Sequence, residues 1–362
     1  MAHDTSPIAQ APIEELDDYW HATVRSPYIV SKRYDWLWFL LPPVLALGLG
    51  VLVSTSSLPY ERVDLWGQDM SWRNALLGIL VQAHLVAVVF RSHANSSVFE
   101  TFRLRFVLVP IALCAAMNLS LWVMVSASVL ATFWDVYHSG AQTFGFARIY
   151  DSKAGNDPAV GRRLDFWLNQ LLYAGPILAG ATMMAHMEDF GEFEDLGHVL
   201  FLYVPSFVHS KQAYLSWTIV GGGTLFLGYY VLAYGRLIAQ GYRVSPLKIF
   251  LLVSTGAVSI YSWGFNTWGE AFLIMNVFHA VQYFGLVWAH EHGNMIDVFR
   301  LAGRRYAKPI TLMLFVVITG LYGYFVKATT SEVRVIWSIT TTVSLMHFWY
   351  DGFIWSVRKG QI

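Results

Sequence analysis

Of 362 residues, 56% are hydrophobic and only 13% charged, where a soluble globular chain is about a quarter charged, so an ordinary soluble fold is excluded. The 24 Lys and Arg balance the 24 Asp and Glu, and with no long run of either sign nothing recruits nucleic acid or a strongly charged partner. The one cysteine, Cys114, cannot form an internal disulfide, and cysteine-based zinc or iron–sulfur sites are excluded within one chain.

Residues 1–35 read as a polar lead-in: Glu14, Glu15, Asp17 and Asp18 are present and the apolar core of a cleaved signal peptide is not. Apolar stretches of about 20 residues, the length a helix needs to cross the hydrocarbon core, follow at 36–55, 74–91, 104–124, 125–149 and 166–186. Five more lie at 213–235, 247–264, 270–290, 309–326 and 334–356. The expected fold is all-α: a polytopic transmembrane helix bundle of ten spans filling residues 36–357. The stretch 196–208 is apolar but short and contains Pro205, which suits a re-entrant or interfacial segment. Gly175 and Gly180 in the fifth span, and Gly221, Gly222, Gly223 and Gly228 in the sixth, suit close helix packing.

Charge tests this count, because cytoplasmic loops are rich in Lys and Arg. Nineteen of the 24 basic residues fall in alternate loops, from Arg25, Lys32 and Arg33 before the first span to Arg358 and Lys359 after the tenth. Only Arg62, Arg73, Lys211, Lys327 and Arg334 fall on the other side. Both termini are expected in the cytoplasm, and the acidic loop of Glu188, Asp189, Glu192, Glu194 and Asp195 away from it.

Ionisable side chains inside a membrane are costly and mark function. Four histidines, His84, His138, His279 and His347, fall within expected spans, all on even-numbered helices running the same way. They precede the cytoplasmic markers Arg91, Arg148, His290 and Arg358 by seven to eleven residues, or roughly 10–17 Å at 1.5 Å per residue. That common depth predicts one histidine layer, and imidazoles on facing helices are how bundles build metal sites. Helical phase adds Asp135 and Gln142 to the face of His138, Gln282 to that of His279 and Asp351 to that of His347. A carboxylate one turn from a ligating histidine can bind the metal or orient the imidazole. The two glutamines can hydrogen-bond an oxygen species. His93, on the opposite helical face from His84, and His290, in phase with His279, are further candidate ligands. Trp134, Tyr137, Trp288, Phe348, Trp349 and Trp355 surround these positions in sequence and can line an apolar tunnel.

The runs WDVYHSGAQTFGFARIYDSKAG around His138, VFHAVQYFG at His279 and HFWYDGFIW around His347 look like motifs of a group of uncharacterised bacterial multi-pass membrane proteins. More remotely, intramembrane histidines on several helices with a nearby Asp resemble the Brp/Blh family of membrane-bound carotene-cleaving dioxygenases. The resemblance implies histidine-bound iron, with His84, His138, His279 and His347 as its ligands. The HxxxH and HxxHH boxes of membrane desaturases and alkane hydroxylases are missing, and no Walker loop, GxGxxG, HExxH or GxSxG occurs.

The leading expectation is a non-haem iron oxidoreductase in the inner membrane of a bacterium, with a lipid or isoprenoid as substrate, membrane lipids around it and an electron donor as partner. Copper fits the same nitrogen and oxygen ligands. The alternatives are a haem protein of electron transfer, a proton-coupled transporter whose His and Asp residues form a relay, and a subunit without a site of its own.

Overall fold

Proline shapes the first element. The computed structural model describes residues 26–56, 61–65, 67–180, 207–329 and 333–355. In it helix α1 (Lys32–Leu40) meets α2 (Pro42–Ser54) at a bend of 47°. Pro42 and Pro43 have no N–H to give to the turn before them. The ladder widens into a π-turn over Trp36–Leu40, and the Phe39 carbonyl accepts a side chain from another helix. A hairpin follows, β1 (Arg62–Leu65) antiparallel to β2 (Gln68–Ser71), in a register that pairs Leu65 with Gln68. Gly67, at φ +84°, supplies the left-handed residue such a tight turn needs. The exposed Arg62–Asp69 pair ties the strands at 2.7 Å, and its hydrogen bonds hold the Asp69 carboxyl below the ordinary range.

The rest is helical: α3 (Trp72–Val86), α4 (Val89–Ser92), α5 (Ser96–Leu119), α6 (Leu121–Lys153) and α7 (Arg162–Gly180), then α8 (Gln212–Ala239), α9 (Pro246–Phe265), α10 (Trp268–Val298), α11 (Ala307–Thr329) and α12 (Arg334–Ile354). Within the described residues the expected apolar stretches coincide with helix, the first two broken and the third divided at the extended Ser120, where α5 ends and α6 begins; 181–186 and 356 lie outside the described residues. Six helices among the described residues are long and apolar enough to cross a membrane, or seven if α1 and α2 count as one bent span. Helices α6, α7 and α12 fall short of that hydropathy because they bury polar side chains. Among these are His138, Ser139 and Thr143 on α6, Asp165 and Asn169 on α7, and Thr340, Thr341 and His347 on α12.

Helix α10 is the hub, with Ile274, Phe278, Gln282, Tyr283 and Val287 all buried. It packs on α2, α3, α9 and α11, while α12 packs on α3, α5 and α6. At Gly323 a Cβ would strike the Ile79 carbonyl, so this glycine lets α11 lie directly on α3. The glycines of α8 behave differently from expectation. At Gly221, Gly222 and Gly228 an added Cβ meets nothing, and only Gly223, against Leu171, marks a close approach. Helix α8 is peripheral, with Leu225 and Trp217 each more than three-quarters exposed, a surface of the kind lipid covers.

Three basic residues expected in loops lie inside instead. Arg91 pairs with Glu291 at 2.5 Å. Arg148 and Lys248 share the buried carboxylates Asp151 and Asp165, with Lys248 Nζ 2.6 and 2.8 Å from them. Tyr230 and Tyr234 donate to Asp165 and Tyr242 donates to Asp151. Two cations against two carboxylates make the cluster neutral, which makes burying its charges tolerable, and it binds α6, α7, α8 and α9 together. The acidic loop at 188–195, His186, His198, Arg358, Lys359 and all but Phe207 and Val208 of the 196–208 stretch lie outside the described residues.

Candidate metal centre

The four histidines of the expected spans meet. His84 comes from α3, His138 from α6, His279 from α10 and His347 from α12, and all four are buried. Their rings form a closed quadrilateral with centroids 5.1 Å apart for His84–His279, 5.2 Å for His84–His347, 5.3 Å for His138–His279 and 4.8 Å for His138–His347. One ligand atom from each of His84, His279 and His347 lies within 4.8 Å of the others, and the same holds for His138, His347 and Asp351.

The backbone fixes which nitrogen of His347 faces the centre. Helix α3 breaks at Ala87 and Val88, where the Ala87 N–H reaches back only three residues to His84. At that break the Leu85 carbonyl accepts from His347 Nδ1 at 3.0 Å. A carbonyl only accepts, so Nδ1 carries the proton and Nε2 of the neutral ring presents a lone pair. That Nε2 is 3.2 Å from His138 Nε2. Metal–nitrogen bonds of about 2.0–2.1 Å spanning that gap meet at about 100°, between the tetrahedral and octahedral angles.

Asp351 completes this side. Its Oδ1 accepts from the Tyr283 hydroxyl and the Trp355 indole N–H, each at 3.0 Å. Its Oδ2 therefore turns to the histidines, 3.8 Å from His138 Nε2 and 3.9 Å from His347 Nε2. Neighbouring ligands of one small metal ion stand about 2.9–3.4 Å apart, so a shift of about half an ångström brings the carboxylate into the set.

Both nitrogens of His84 and Nε2 of His279 are buried without a hydrogen-bond partner, the carbonyls of Leu80 and Val81 lying near His84 but outside bonding geometry. An orphaned buried polar atom costs about 1–3 kcal/mol. Three in one layer, beside two nitrogens in contact, is what a donor set built for a cation looks like. The four adjacent ring pairs, with centroids 4.8 to 5.3 Å apart, stand too close for a porphyrin to lie between them.

The other candidate residues have different places. Asp135 does not reach this set. It lies on the wall of a cavity with Tyr173, and the carboxylate beside His138 is Asp351, from another helix. Gln142 and Gln282 bridge helices: Gln282 Nε2 donates to the Phe39 carbonyl at 2.7 Å, the acceptor that Pro43 leaves free, and Gln142 Nε2 donates to the His279 carbonyl and to Gln282 Oε1, both at 3.2 Å. They hold α1, α6 and α10 in register around the histidines. His93 is set apart, bonded to Ser92 and packed on Phe106. His290 bonds its own turn at Leu286 and packs on Trp355.

Two cavities flank the layer. One of about 170 Å³ lies on the His138 and Asp351 side, lined by Trp134, Tyr137, Phe348 and Trp355 among others. It is the apolar aromatic space the sequence anticipates, though Trp288 and Trp349 are not on its wall. A larger one, about 770 Å³, opens on the His84 side and reaches Trp268, Arg73 and Lys327.

Two contributors escape the sequence reading. Tyr283, one turn beyond His279, orients Asp351 and packs 4.5 Å from the His347 ring; its i+4 spacing from a histidine was the available signal. Arg91, stacked on Trp355 at 4.6 Å while paired to Glu291, steadies the indole that bonds Asp351. Comparison with protein-family models, curated proteins and solved structures yields no match, so the likeness to the Brp/Blh family rests on the short motifs alone.

Proposed function

We propose that this chain is an integral membrane metalloprotein, a non-haem iron oxidoreductase whose site is held by His84, His138, His279 and His347 with Asp351. The topology that goes with it is ten spans with both termini in the cytoplasm of a bacterial inner membrane. The observation that carries the reading is the 3.2 Å approach of the His138 and His347 Nε2 atoms beside the orphaned nitrogens of His84 and His279. A redox metal with mixed imidazole and carboxylate ligands supplies one-electron chemistry with O₂. The protein's part is to fix the ligands and exclude water. Leu85 sets the His347 tautomer, Tyr283 and Trp355 aim Asp351, the glutamine bridge holds α6 against α10, and apolar walls border the aromatic cavity. That cavity beside the layer supports a lipid or isoprenoid substrate, and the redox chemistry of the site calls for an electron donor as the second partner.

The test is an absorption spectrum together with oxygen uptake by purified protein in lipid. Oxygen consumption that depends on iron and on added lipid, without a Soret band, supports the reading; a Soret band or uptake indifferent to metal overturns it. A second reading, a proton-coupled transporter, draws on one observation. Buried and half-buried polar groups run from Arg73 and Lys327 past Asp135, the histidines and Asp351 to Arg91 and Glu291, a string of the kind a relay requires.

A further inference from the structure

The larger cavity carries charge that metal binding does not use. Lys327, in the last turn of α11, lays its stem across α3 at Gly78, where a Cβ would stand 2.6 Å from Lys327 Cδ. Glycine at that position makes room for the lysine, and both residues line the cavity. No carboxylate among the described residues pairs with the Lys327 ammonium within 4.0 Å. Arg73, in the first turn of α3, lines the same space with its guanidinium against Gly269, where a Cβ would be 3.2 Å from Nη2. Trp263, Trp268 and Phe272 form the apolar part of the wall, and His84 borders the cavity at the layer.

A half-buried cation on the wall of a cavity that also carries an aromatic patch, with Arg73 lining the same space, recognises an anion attached to an apolar body. Asp135 on the same wall makes a dianion a poorer fit than a single negative charge. We infer that the 770 Å³ cavity binds an amphipathic carboxylate, with its acid group at Lys327 and Arg73 and its hydrocarbon chain running to His84. Arg73 stands eleven residues from His84 along α3, and the Lys327 stem crosses that helix at Gly78, six residues from His84, about 9–16 Å at 1.5 Å per residue. The carbon presented to the metal is thus one well down the chain and not the neighbour of the carboxylate. This rests on the metal reading for the direction of the chain but not for binding.

Equilibrium binding of radiolabelled palmitate to the full-length protein in detergent, competed by unlabelled palmitate, methyl palmitate and hexadecyl phosphate, tests it. Palmitate should compete at least 10-fold better than the ester, which has the same chain without the charge, and better than the phosphate. Lys327→Met should weaken palmitate binding about 10-fold, and Lys327→Arg should retain it. Equal competition by acid and ester in the unmodified protein overturns the inference whether or not the variants fold, and stronger competition by the phosphate overturns the carboxylate class. Metal content measured on the same samples separates the two claims: metal without acid preference sinks this inference alone, and acid preference without metal sinks the metal reading alone.

Discussion

Tyr283→Phe removes one oxygen from the centre and nothing else. The ring that packs 4.5 Å from His347 stays, so no cavity opens; what goes is the hydroxyl bonded at 3.0 Å to Asp351 Oδ1. Groups that orient a metal ligand are worth about 10–100-fold in metal affinity, or about 1.4–2.7 kcal/mol. The Trp355 N–H still bonds the same oxygen, which places the expected loss at the lower end, about tenfold. Competition against a chromophoric chelator reads the affinity directly, and Asp351→Asn supplies the second arm of a double-mutant cycle. If Tyr283 works through Asp351, the loss caused by Tyr283→Phe shrinks in the Asp351→Asn background. An unchanged affinity in the single variant, or the same loss in both backgrounds, refutes this reasoning.

The buried cation cluster makes a contrasting prediction. Lys248→Met leaves Asp151 and Asp165 with Arg148 as their one cation among the described residues, and breaking a buried pair costs about 3–5 kcal/mol, so thermal unfolding in detergent should begin much lower while metal stoichiometry at low temperature is unchanged. Gln282→Leu orphans the Phe39 carbonyl and loosens Gln142, with an expected loss of about 1–3 kcal/mol that the same melt detects. Arg62→Ala should leave the unfolding midpoint at pH 7 where it was, since the hairpin pair is solvent-exposed. Because Arg62 depresses Asp69, any contribution of that pair is complete at neutral pH and disappears as pH falls through the lowered value, which a pH series of melts checks.

The helices were legible because apolar length is a crude signal that survives local breaks. The bend at Pro42 and the break at Ala87 and Val88 interrupt the first two stretches without moving them. Depth was legible too: four histidines at a shared distance from the basic helix ends lie in one layer. Face alone was less reliable. His290 shares a face with His279, yet eleven residues is about 16 Å along the axis, and its ring packs on Trp355 at the far end of the site. Asp135 has the right spacing from His138 but sits one turn up, in the cavity wall. Partners across helices are invisible to spacing within one helix. Hence Asp351 as the neighbour of His138, Tyr283 as its orienter, and the glutamine bridge to a carbonyl freed by Pro43 needed the packed bundle. Basic residues mislead in the same way, since Arg91, Arg148 and Lys248 read as loop charges but are neutralised inside.

The chemistry proposed for the site depends on the histidine layer holding a metal ion. Elemental analysis of protein purified without chelators should find one iron per chain, or one copper if that metal is the resident, and His347→Ala should lose it while keeping its helical content and its elution as a single species. Metal-free protein that takes up neither ion on titration, or His347→Ala that retains the full complement, would contradict it.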